Sequence, residues 1–191
     1  SMARNICVDH NIPMALFSLE MASVQLITRM ISSETGISSE KLRKGQMSDD
    51  EWQRLFTNVS ALENAPLYID ETPSLSIFDF RAKCRRLVMQ HGVKIIMVDY
   101  LQLMTASSGK GAGNREQEIA MISRSLNAIA KELNVPVIAL SQRSITIETR
   151  PVKRPKLADL SESGAIEQDE DIVSFILRPE YYKIAVWHND E

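Results

Sequence analysis

Four apolar residues in a row, Ile95-Ile96-Met97-Val98, run straight into a carboxylate at Asp99. A strand with no polar face has nowhere to meet water, so it belongs inside a sheet that helices cover on both sides. Such a sheet is mostly parallel. Asp99 then falls where the strand emerges, at the carboxyl edge, where open α/β folds collect ligands. In isolation, an aspartate capping the following turn would look the same.

The pattern recurs. Met14-Ala15-Leu16-Phe17-Ser18-Leu19 is a mostly apolar strand with Glu20 at its end, and Val137-Ile138-Ala139-Leu140 leads into Ser141-Gln142. A shorter strand, Leu67-Tyr68-Ile69, follows Pro66. Helical spacing fills the gaps. Ser1 to His10 reads as the last turns of a helix. A helix from Ala22 places Leu26, Ile27, Met30 and Ile31 on one side and stops at Gly36. Ser48 and Glu51 form a capping box ahead of a stripe of Trp52, Leu55, Phe56, Val59 and Leu62. Ser76 with Asp79 reads as a second box, opening a helix with Ile77, Phe80, Cys84, Leu87 and Val88 inward until Gly92. Residues 105–114 are rich in Gly and Ser and read as a mobile surface loop. Asn114 is positioned to cap a long helix with Ile119, Ile122, Leu126, Ile129 and Leu133 along one face. After Gln142 the pattern loosens, until Ile172-Val173-Ser174-Phe175-Ile176-Leu177 reads as a further strand that Tyr181 to Trp187 could pair with. Strands alternating with helices of this length make an α/β fold with a parallel sheet and helices on both faces.

If the three polar-tipped strands are neighbours, Glu20, Asp99 and Gln142 converge on one crevice. An apolar strand ending in aspartate is the Walker B arrangement, in which the carboxylate holds Mg²⁺, usually through water. Nucleoside triphosphate hydrolysis needs that aspartate, a glutamate to deprotonate the attacking water, and a polar amide at the γ-phosphate. Polar residues also end strands simply because the chain is reaching solvent. One component is missing: no G-x-x-x-x-G-K-[ST] occurs in the 191 residues. Gly109-Lys110 has Met104 where the first glycine belongs, and it follows the wrong strand. The first strand and its phosphate loop are therefore expected upstream of Ser1, with a sheet edge left uncovered without them.

Bulk properties exclude other classes. At net charge −3 the chain has no global basic footprint, so any nucleic-acid contact must be local. Residues 143–156 carry five bases against Glu148, and 157–171 carry six acids. A basic run of this kind is a solvated loop or a contact with nucleic acid or a neighbouring subunit. Cys7 and Cys84, far apart in helical patterns, read as reduced core thiols of a cytoplasmic protein. Three histidines without metal-ligand spacing argue against zinc, and no apolar run approaches a membrane span.

Five segments are more specific. Phe17-Ser18-Leu19-Glu20-Met21, Val98 to Met104, Asn114 to Ile119, Leu140-Ser141-Gln142 and Glu162 to Asp169 resemble, in this order and spacing, the ATPase domain of DnaB-type replicative helicases. The resemblance covers nearly the whole chain. It implies one partial RecA-like domain over 1–191, a mostly parallel sheet flanked by helices and truncated at both ends. It also implies a homo-hexameric ring that moves along single-stranded DNA with ATP and Mg²⁺ and unwinds duplex, meeting primase and a helicase loader in the intact protein. Carried over by position, Glu20 is the catalytic glutamate, Asp99 the Walker B aspartate and Gln142 the amide that couples the γ-phosphate to DNA-binding loops. Arg29 matches an arginine that packs on adenine, although spacing alone fits a solvent-facing helix arginine equally well. Glu162 and Gly164 match a loop facing the DNA backbone, where glycine permits close approach of a phosphate.

There are departures. Ser161 stands where the family has a phosphate-holding arginine, and Ile145 stands at another arginine position, with Arg143 nearby as a substitute. The family's arginine finger would lie beyond Glu191. Without it and the phosphate loop, the 191 residues alone are expected to be inactive. The departures also leave open a degenerate, non-hydrolysing binding or assembly module.

Overall fold

The computed structural model describes residues 2–106, 115–142, 156 and 170–182. A short helix α1 (Met2–Arg4) widens into a π-helical turn (Asn5–Asp9) and leads to strand β1 (Met14–Ser18). Helices α2 (Ser23–Thr35), α3 (Ser39–Lys44) and α4 (Asp49–Glu63) precede β2 (Leu67–Asp70). Then come α5 (Ile77–His91), β3 (Ile95–Asp99), a 3-10 turn (Leu101–Leu103), α6 (Arg115–Leu133), β4 (Val137–Ala139) and a last 3-10 turn (Pro179–Tyr182).

Among the described residues the sheet is four-stranded, all parallel, in the order β2-β1-β3-β4. Pro13, Pro66 and Pro136 each precede a strand, where a missing N–H costs the ladder nothing. Their carbonyls still accept: Lys94 N–H donates to Pro13 at 2.8 Å, Met14 to Pro66 at 2.9 Å and Ile96 to Pro136 at 3.1 Å. All five residues of β1 are buried, and Ile96, Met97 and Val98 are buried in β3. The alternation of a strand divides them between two faces. Ala15, Phe17, Ile96 and Val98 pack with Phe80 and Cys84 of α5 and Ile122, Leu126 and Ile129 of α6. Met14, Leu16 and Met97 pack on the opposite face with Cys7, Ile6 and Leu26. Helices thus cover both faces, as the apolar strands required.

The helix boundaries follow local chemistry. Gly36, Gly45 and Gly92 end α2, α3 and α5 in the left-handed region. The Ser48–Glu51 capping box forms in full. The Ser76 box forms only by half: Ser76 Oγ takes the Asp79 N–H at 3.1 Å, but the Asp79 carboxylate receives the Ser76 hydroxyl at 2.6 Å instead of the backbone. Helix α3, capped by Ser38, falls in a stretch where six residues are too few for a period to show.

The α4 stripe lies at the periphery: Leu55, Val59 and Leu62 are half-buried, Trp52 and Phe56 stack on each other with Phe56 73% exposed, and no residue of α4 is fully buried. One expectation fails. The segment 172–177 is extended in burial rhythm but pairs with nothing among the described residues, and Ile176 is 90% exposed. An apolar run forms a strand only where a neighbour offers an edge. The Asn114 cap and residues 107–114 lie outside the described residues; of the segment Tyr181 to Trp187, Tyr181 and Tyr182 belong to the 3-10 turn and the rest lies outside them. Both cysteines are free and buried, as expected of core thiols. No described helix is long and apolar enough to cross a membrane.

The Phe17 and Phe80 rings meet edge-on, centroids 4.6 Å apart, both fully buried between sheet and α5. Phe80→Ala is expected to destabilise the domain by about 3–5 kcal/mol, through lost burial and the cavity left behind. Urea unfolding read by circular dichroism measures it.

Candidate nucleotide site at the carboxyl edge of the sheet

The strand order makes the predicted trio adjacent. β1 pairs with β3 in the register Ser18↔Asp99, and β3 pairs with β4 in the register Val98↔Ala139. Glu20, Asp99 and Gln142 therefore follow three neighbouring parallel strands and leave the sheet on the same edge.

Each is presented by a distinct local device. The turn carrying Glu20 is held by Ser18, whose buried hydroxyl donates to Met21 O at 2.7 Å, and by Leu19 N–H, which donates to Asp99 O at 2.8 Å. Helix α2 begins just beyond, at Ala22, which provides no side-chain cap. The Glu71 carboxylate, arriving from the end of β2, accepts the Ser23 N–H instead. An anion at a helix N-terminus satisfies an orphan donor and opposes the positive end of the dipole, and these bonds hold the Glu71 carboxyl below its usual range.

Asp99 is half-buried where β3 ends, and its peptide bond to Tyr100 is cis. Burial, then the negative charge of Glu20, push its carboxyl above the ordinary range, and Arg29 pulls in the opposite direction. Glu20, Asp99 and Arg29 thus share one electrostatic neighbourhood, with both Glu20 and Arg29 exposed to solvent. A carboxylate whose proton affinity is raised by a second one nearby suits a divalent cation, whose charge would relieve the repulsion. Among the described residues no group of three or more His, Cys, Asp or Glu side chains could enclose a metal.

Gln142 is exposed, and its main chain is fixed by the Gln102 carboxamide. Gln102, Ser18 and Glu71 had no assigned role in the sequence. Their partners are mainly backbone groups, with Ser141 Oγ a further partner of Gln102, and mostly belong to remote residues, which no periodicity announces. Arg143, Glu162 and Gly164, together with Ile145 and Ser161, lie outside the described residues.

The family model for the DnaB-like helicase C-terminal domain matches residues 1–191. The replicative DNA helicase DnaB of Geobacillus stearothermophilus is 48% identical over 182 residues, covering 95% of this chain and 40% of that protein. The replicative DNA helicase DnaC of Bacillus subtilis (strain 168) is 46% identical with the same coverage. The chain thus spans 40% of the length of these relatives. Among solved structures, a DnaB-like replicative helicase studied for its interactions with primase superposes with a TM-score of 0.89 at 34% identity, covering 100% of this chain and 46% of that one. A second solved structure, itself an isolated ATPase domain, superposes at 0.87 with 35% identity, covering 96% of this chain and 65% of that one.

The raised Asp99 carboxyl has a consequence for stability. The folded protein holds that proton more tightly than the unfolded chain, so stability falls as pH rises from the ordinary carboxylate range through the raised value. Asp99→Asn is accordingly expected to melt above the wild type at neutral pH. The gap should close as pH drops toward the ordinary carboxylate range, as read by calorimetric Tm between acidic and neutral pH.

Proposed function

This chain belongs to the DnaB-like helicase C-terminal domain family, and from that premise we propose that it is the motor domain of a replicative DNA helicase. The fold is RecA-like, and in this reading residues 1–191 are a single partial domain of that kind. The supporting observation is the adjacency of Glu20, Asp99 and Gln142 at one sheet edge, with Glu20 and Asp99 in electrostatic contact.

In this reading ATP lies across the carboxyl edge. Asp99 would hold Mg²⁺, through water, and the ion would supply neutralisation of phosphate charge. A Glu20 carboxylate oxygen orients the attacking water and accepts its proton. The Gln142 amide donates toward the γ-phosphate and passes its state to the segment after β4. Arg29, exposed on α2, offers a planar guanidinium to the adenine. Single-stranded DNA runs past Arg143, Glu162 and Gly164 in the channel of a homo-hexamer, and primase and a loader bind the intact protein.

The test is ATP turnover by the full-length protein, with and without single-stranded DNA. Wild type should be stimulated by DNA, and Glu20→Gln should lose roughly a hundredfold or more of turnover while still binding nucleotide. The 191-residue chain, which contains no phosphate-gripping loop, should show negligible turnover. Nucleotide binding without turnover by the full-length wild type would instead favour an assembly module. Absence of binding would defeat the nucleotide reading.

A further inference from the structure

The nucleotide chemistry makes no demand on Gln102, yet Gln102 grips one of the residues that carries it. It sits in the 3-10 turn after β3 and faces the end of β4. Its Nε2 donates to Ser141 Oγ at 2.9 Å and to Gln142 O at 3.3 Å. Its Oε1 accepts the Gln142 N–H at 3.3 Å. A carboxamide carries donor and acceptor side by side, so it can imitate one rung of a β ladder.

That rung lies where the ladder has run out. The last backbone bonds between the two strand ends are Leu140 N–H to Val98 O and Leu101 N–H to Leu140 O, both 2.9 Å. Past Leu140, the described bonds holding residues 141 and 142 to the β3 side all come from Gln102. Gln102 is itself anchored: Arg115, at the start of α6, donates to its main-chain oxygen. Arg115 also pairs with Glu118, whose Oε1 accepts the Ala106 N–H at 3.1 Å.

We propose that Gln102 is a positioning residue that fixes the main chain of Gln142 and so aims its amide, with Arg115 anchoring the clamp to α6. The inference rests on the reading of Gln142 as the γ-phosphate group. Reacting groups misplaced by about 1 Å forfeit large factors in rate, so a two-point grip on an otherwise exposed strand end matters out of proportion to its contribution to stability.

Two variants of the full-length protein test it. Gln102→Met keeps the volume and removes the clamp. Hydrogen exchange at the Gln142 amide should accelerate about tenfold. Turnover should fall about tenfold while KM for ATP stays within about twofold, the signature of lost transition-state alignment. Gln102→Glu is more pointed. A neutral carboxylic acid reproduces the donor and acceptor pair, whereas a carboxylate turns a negative charge on Gln142 O. The ratio of Gln102→Glu to wild-type turnover should therefore rise as pH falls, while that of Gln102→Met stays flat. Unchanged exchange at Gln142 in Gln102→Met overturns the clamp. Faster exchange with unchanged turnover, or a turnover loss in Gln102→Glu that ignores pH, overturns the positioning role. A wild type that does not turn over ATP defeats the functional reading instead, and the exchange measurement still decides the clamp.

Discussion

The pairing of β1 with β3 is the constraint on which the rest depends. These two strands occupy the middle of the sheet and are buried on both faces, so neither can shift register without moving apolar residues between two different helical layers. Phe17 is committed to the α5 and α6 side, and Leu16 and Met97 to the side of Leu26 and Cys7. With both faces specified, the Ser18↔Asp99 register is fixed, and with it the places where the chain carrying Glu20 and Asp99 leaves the sheet.

That packing also explains how much could be read in advance. Ile95–Val98 has no polar face, and a strand of that kind has few places to go. Helix ends were equally legible, because Ser48, Gly36 and Gly92 act on backbone groups within a few residues. Less legible was how deeply an apolar pattern is buried. The α4 stripe has helical spacing, but the helix lies on α2 at the periphery, with Trp52 and Phe56 open to solvent. Likewise Ile172–Leu177 is a nearly continuous apolar run without a described sheet edge to receive it. Periodicity reports what an element could bury, and the partner decides whether it does.

The site shows the same division. Glu20, Asp99 and Gln142 were recognisable because each breaks an apolar run at its end. Strand order, which makes them neighbours, is a long-range property. The supporting groups were invisible for a related reason: Glu71 reaches Ser23 across 48 positions, and Gln102 reaches Gln142 across 40. Neither has a local signature. A polar residue just past a strand is ordinary until its remote backbone partner is known.

A parallel sheet makes such supports necessary. Its ladder holds the strands rigidly but ends at Asp99 and before Glu20 and Gln142, whose main chain has already left the sheet. Direction beyond that point comes from a few hydrogen bonds: Ser18 to Met21 beneath Glu20, Glu71 at the head of α2, and Gln102 on Gln142. The repulsion between Glu20 and Asp99 makes these bonds more consequential, since like charges left to themselves would turn apart. The core therefore fixes where the edge lies, and these side chains set where the edge points. Because Gln102 belongs to the β3 side and is held by Arg115 of α6, any shift of that helix start would act first on Gln142. A displacement too small to disturb the hydrophobic layers would still change the aim of the amide.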